Sequence, residues 1–173
     1  MKTAILSFLF GVSLLSGALT APLSNMFEGR HIFESIMGEY RYRKADGSAH
    51  TADIADNFKG VDFYKDFVED GDDILVQTAV SMKTTITKDV KAWLASEPIK
   101  KNIQFLSDGM ANTTEGLTSN NKFMFITSAE IHIYMPKDNL TNDLFDTWHK
   151  ELLNVTNATG IKFEIRKLED FLK

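Results

Sequence analysis

The chain has 173 residues, a formal net charge of −5, 43% hydrophobic residues and no cysteine. Without thiols there are no disulfide staples, thiolate metal sites or cysteine catalysis, so stability must come from a hydrophobic core. Acids and bases are interspersed, and the lack of a basic field disfavours a nucleic-acid surface that tracks phosphates.

The chain opens on Lys2, an apolar run from Ala4 to Leu15, and the small residues Ser16-Gly17-Ala18. This is the layout of a secretory signal peptide, with cleavage expected after Ala18. The run is too short to span a bilayer, which takes about 20 apolar residues. No later stretch reaches that length, so no membrane span is expected. Residues 1–18 are therefore read as a signal peptide, and residues 19–173 as a single secreted domain. Four N-x-[ST] sequons, at Asn112, Asn139, Asn154 and Asn157, fit export and predict N-glycosylation on surface loops or element ends.

Further along, Phe27, Arg30, Phe33 and Met37 recur at helical spacing and predict a helix over 25–37. Tyr40 and Tyr42 alternate with Arg41 and Arg43, as in a short strand. Asp46-Gly47 is a two-residue turn signal that would join this strand to 49–54 in a hairpin. Phe58, Val61, Tyr64, Phe67 and Val68 predict a helix over 57–68, weakened by Gly60. The acidic run Glu69-Asp70-Gly71-Asp72-Asp73 reads as a turn, because it lacks the alternating ligand spacing of a calcium loop. Ile74 to Val80 reads as a buried strand.

Residues 84–95 read as an amphipathic helix, and Ser96 with Pro98 starts another that carries Ile99, Ile103, Leu106 and Met110. Residues 111–121 read as a loop. Residues 122–135 give the strongest strand signal, with Thr127-Ser128-Ala129 either a turn or the middle of one long strand. Thr141 caps a helix through Leu144, Phe145, Trp148, Leu152 and Val155, which Gly160 ends. Residues 161–166 alternate as a last strand, and Leu168, Phe171 and Leu172 suggest a helical tail. The sum is an α+β fold: a single domain whose mainly antiparallel sheet of about four to six strands carries a layer of helices on one face. The unit at 130–166 is readable as a crossover between two parallel strands.

No catalytic or nucleotide-binding motif is present. The pairs Glu28/His31 and Asp146/His149 sit at i, i+3 and read as solvated helix faces. Trp93 and Trp148 read as core. No cofactor and no metal are called for. The sharper grouping lies on strands, where a period of two places Glu130, His132 and Tyr134 on one face, and Lys162, Glu164 and Arg166 on another. Brought together with Arg41 or Arg43, these are the residue types that metal-free phosphodiester cleavage uses. The other reading is a polar face paired by opposite charges.

Two functions follow. The first is an effector-like extracellular binding or interaction protein, whose partner is an unknown protein or a small apolar ligand. The second is a small metal-independent hydrolase of ribonuclease-like chemistry, using Glu130, His132, Tyr134, Glu164 and Arg166. Convergence of Glu130, His132 and an arginine is the geometric condition the hydrolase must meet.

Overall fold

A computed structural model describes residue 42, residues 47–54, residue 58 and residues 60–169. The expected leader, the helix at 25–37, most of the strand at 39–44 with its turn at Asp46, and the tail from 170 onward lie outside the described residues. So do Glu28, His31, Arg41 and Arg43.

Six strands form one sheet: β1 (Ala49–His50), β2 (Phe63–Asp70), β3 (Asp73–Thr84), β4 (Leu117–Ser119), β5 (Lys122–Met135) and β6 (Lys162–Lys167). Their spatial order is β1-β2-β3-β5-β4, with β6 also pairing β5. The helices are α1 (Val90–Ala95), α2 (Glu97–Ala111) and α3 (Asn142–Thr159). No described helix is long and apolar enough to cross a membrane.

The sheet is mixed, which corrects the mainly antiparallel expectation. β3 and β6 both run parallel to β5, the longest strand, while the pairs β1–β2, β2–β3 and β4–β5 are antiparallel. The reason is connectivity. α1 and α2, followed by the short β4 hairpin strand, carry the chain from the end of β3 back to the start of β5, and α3 does the same between β5 and β6. A strand reached through such a crossover enters parallel. The parallel pairing of β5 and β6 matches the crossover read at 130–166.

The helices share one core with one sheet face. Trp93, Ile99, Leu106, Trp148 and Leu152 from the helices pack with Met124, Ile126, Ala129, Ile131, Ile133 and Met135 of β5. Trp93 and Trp148 lie 5.4 Å apart between ring centroids, so both belong to this core as their spacing implied. Thr141 Oγ1 accepts from the Leu144 N–H to cap α3, and Gly160 ends it at φ +77° in the left-handed region.

Other elements differ from expectation. The helix over 57–68 is strand β2 from Phe63 onward. Its helical spacing arises at Asp66, whose φ of 54° breaks the two-residue alternation. Tyr64 and Phe67 therefore fall on the same face three residues apart, with rings 4.6 Å apart. The same break crosses three strands. Asp66, Gln77 and Thr127 drop out of the ladder side by side, while register is kept on either side. Core residues switch from 74, 76, 124 and 126 to 79, 129, 131 and 133 across it. Ser128 Oγ donates to the Gln77 carbonyl at 2.8 Å and lies 3.2 Å from Thr78 Oγ1, so hydroxyls fill the gap. Thr127-Ser128-Ala129 is thus the middle of one long strand.

The helix read over 84–95 begins only at Val90, where Asp89 accepts from the Lys91 and Ala92 N–H groups; β3 runs on through Thr84. The expected strand at 49–54 is two residues long and then turns into a 3-10 turn at Thr51–Asp53. Residues 111–121, read as a loop, contain β4, joined to β5 by Asn120-Asn121, both at positive φ.

Candidate functional site: a polar cluster and an apolar end on the open sheet face

The sheet face away from the helices divides at the ladder break. On one side lies the polar set. Parallel register aligns Glu130 with Lys162, His132 with Glu164, and Tyr134 with Arg166. The side chains expected on two separate strands therefore form three adjacent rows.

These groups converge. His132 is 2% exposed and its Nε2 lies 3.0 Å from Glu130 Oε2 and 3.5 Å from Glu164 Oε2. Its Nδ1 lies 2.6 Å from Tyr42 Oη, which lies 2.7 Å from Tyr134 Oη. Arg166 Nη1 donates to Tyr134 Oη at 2.9 Å and its Nη2 donates to Glu164 at 2.6 Å. Lys65 approaches Glu130 at 3.7 Å. Beneath the cluster, Tyr42 stacks on Phe63 at 4.4 Å and packs with Val80, Met82, Tyr134 and Leu168.

The electrostatics fix the proton positions. The hydrogen bond from His132 holds the Glu130 pKa down to about 2, against the opposing effect of burial and with help from Lys65. Burial lowers the His132 pKa, and the Arg166 charge adds to that, although Glu130 and Glu164 pull the other way. Glu164 is lowered by its hydrogen bond from Arg166. Burial alone would lower Arg166, but Glu164 and the Tyr134 and Tyr42 oxygens raise it overall. A neutral imidazole facing an ionised Glu130 carries its hydrogen on Nε2, which leaves Nδ1 to accept from Tyr42. Tyr42 then accepts from Tyr134, and Tyr134 from Arg166. The donations run one way, from Arg166 to Glu130, and occupy both ring nitrogens of His132.

All five expected residues, Glu130, His132, Tyr134, Glu164 and Arg166, meet. The arginine comes from β6. Tyr42 and Lys65 were missed. Tyr42 reads as the alternate face of an arginine-bearing strand, and Lys65 as part of a helix, so neither pattern pointed at this face. Asp146 and His149 lie on α3, where His149 stacks on Phe145. Among the described residues, no group of three or more His, Cys, Asp or Glu is placed to hold a metal ion.

Beyond the break, the same face turns apolar and open. Val68, Leu75 and Phe125 stand side by side in register across β2, β3 and β5, with Phe123 two residues along. Val68 is 63% exposed, Leu75 52% and Phe123 36%. At the ladder break, Asp66, Val68, Leu75 and Phe125 of the strands and Met110 and Asn112 at the end of α2 all line a groove of about 560 Å³ that also reaches Val76 and Ile126 of the core.

The sequons sit as follows. Asn112 caps the end of α2 and lines the groove. Asn139 lies in a 3-10 turn and donates to the Ile86 carbonyl at 2.9 Å. Asn154 and Asn157 are exposed within the last two turns of α3, where element ends or loops were expected.

No family model matches this chain, and no curated protein matches it. Among solved structures, the chain is similar to the CdiA-CT/CdiI toxin and immunity complex from Yersinia pseudotuberculosis at 20% sequence identity. That likeness covers 65% of this chain and 84% of that one, with a TM-score of 0.37.

Proposed function

We propose that this chain is an exported, N-glycosylated, effector-like protein that acts by contact with an extracellular partner. The observation that carries this reading is the apolar row at the open end of the sheet, where Val68, Leu75 and Phe123 are exposed and Phe125 is half-buried between them. Large exposed apolar groups clustered on one face mark contact surfaces more often than chance exposure. Asn112 borders the row, so a glycan there would frame the surface.

The small-ligand carrier version has less support. It needs an enclosed apolar cavity. The space between helices and sheet is instead filled by Trp148, Leu106, Ile131, Ile133 and Met135, none of them accessible to solvent.

Convergence of the Glu130–His132–Arg166 cluster favours a second reading, the metal-independent hydrolase. Phosphodiester cleavage by this set needs a base, a protonated acid and a free cation at the reacting group. In the present arrangement His132 is neutral and buried, and Arg166 is committed to Glu164 and Tyr134. Glu130, held to about 2, is a weak base at neutral pH. Contact is therefore the better-supported function.

Expression of the full chain in a eukaryotic secretory line tests the export reading. The protein is expected in the medium, with its apparent mass reduced by enzymatic deglycosylation. Retention in the cytosol overturns export, and an unchanged mass overturns glycosylation. A single-stranded RNA turnover assay separates contact from hydrolysis. Turnover abolished by His132→Gln would establish the enzyme; no turnover by the wild type would dismiss it.

A further inference from the structure

Among the described residues, the carboxylates that edge the apolar row meet no opposite charge. Asp70 and Asp73 face each other directly across the β2–β3 hairpin, on the side that carries Val68 and Leu75. Like charges opposite one another in a sheet cost stability. Asp66 lines the groove itself. In contrast, the neighbouring Asp72 is neutralised by Lys122 at 2.9 Å, and Glu130 at the other end of the face is met by Lys65. Charge is thus balanced within the polar cluster and left unbalanced beside the apolar row. Among the described residues β2 is also an outer strand beyond Tyr64, since β1 pairs with its Phe63 and Tyr64 alone.

These charges discriminate between occupants. An anionic membrane surface or a nucleic acid would be repelled by Asp66, Asp70 and Asp73. A second copy of this chain, meeting the first by two-fold symmetry, would set one acid-edged surface against another. A protein segment that carries aliphatic or aromatic side chains flanked by Lys or Arg satisfies both the row and its edge. Resting on the contact function proposed above, we infer that the open end of the sheet docks a basic, amphipathic segment of a partner protein. Its apolar residues lie over Val68, Leu75 and Phe125, and its cations meet Asp66, Asp70 and Asp73.

The test uses the full chain and three synthetic heptapeptides: alternating Lys and Leu, alternating Glu and Leu, and alternating Lys and Ser. The Lys/Leu peptide is expected to bind, with affinity falling as salt rises, and the other two at least about tenfold more weakly. Val68→Ser with Leu75→Ser is expected to weaken binding about tenfold and keep the salt dependence. Asp70→Asn with Asp73→Asn is expected to weaken it by a similar factor and flatten the salt dependence. Glu97→Gln with Asp143→Asn removes two acids from the helix layer and should leave affinity unchanged. Equal loss in that control would mean diffuse attraction and would overturn the proposal. So would tight binding of the Glu/Leu peptide, or sedimentation showing a dimer that Val68→Ser with Leu75→Ser dissociates. Cross-linking of the exported chain to an extracellular protein separates the two levels. Cross-links that survive both double variants overturn this surface but keep the contact function. The absence of any cross-link, with the Lys/Leu peptide still bound as expected, overturns the contact function and keeps the surface chemistry.

Discussion

The two ends of the open sheet face share strands β2, β3 and β5, with β6 added at the His132 end, and they behave as opposites. At the His132 end, the imidazole and two phenols are buried, the charges around them are matched, and the hydrogen bonds run in one direction, from Arg166 through Tyr134, Tyr42 and His132 to Glu130. At the Leu75 end, apolar groups are exposed, and Asp66, Asp70 and Asp73 beside them meet no cation among the described residues. A buried polar group without its partner is costly, so the first arrangement holds the fold together. An exposed apolar group contributes little to folding, so the second is free to serve contact. The Asp66–Gln77–Thr127 break divides them by reversing which side chains each strand turns to the helices.

The contrast is breakable by substitution. His132→Ala should produce the largest effect, a loss of about 3–5 kcal/mol in chemical denaturation, because it removes the central link and leaves a cavity. Leu75→Ala at the other end should change stability by no more than about 0.5 kcal/mol. Similar losses at both positions would erase the distinction. Tyr42→Phe keeps the ring on Phe63 but takes away the donor to His132 Nδ1, and should cost about 1–3 kcal/mol. A neutral outcome would mean that the chain of donations is not cooperative.

Acid should expose the same difference. The folded pKa of His132 lies below its ordinary value of 6.5, so the unfolded chain takes up this proton first. Stability should begin to fall as pH drops below about 6.5. Glu130, lowered from 4.5 to about 2, adds a second loss across that lower window. The described groups around His132 that set this behaviour are Glu130, Glu164, Arg166 and Tyr42. Midpoints measured against pH should fall less steeply below 6.5 in His132→Gln; an unchanged profile would remove His132 from the account. The smallest effect belongs to the apolar end. Asp70→Asn should raise stability by a few tenths of a kcal/mol at low salt, and the gain should vanish at high salt.

Much of this was legible in the sequence. The strand periods at 130–135 and 161–166 place the right side chains on each face, and the caps at Thr141 and Gly160 bound α3 correctly. Register between strands is a tertiary property, so the rows Glu130–Lys162, His132–Glu164 and Tyr134–Arg166 become visible only in the fold. The mixed sheet was hidden because β3 and β5 are separated by two helices. The strand β2 imitated a helix for a local reason: the left-handed Asp66 shifts Phe67 onto the face of Tyr64, giving the three-residue spacing of a helical stripe. Asn120-Asn121 was a turn signal inside a stretch too polar to suggest β4.

The central claim is that contact occurs at the apolar end of the open face, while the polar cluster is structural. Hydrogen–deuterium exchange of the full chain, with and without the Lys/Leu heptapeptide, tests it most directly. Slowed exchange confined to β2 and β3 around 66–77 and β5 around 123–127 is the predicted result. Slowed exchange at 130–134 and 162–166 instead would place the binding surface on the His132 cluster and contradict the account.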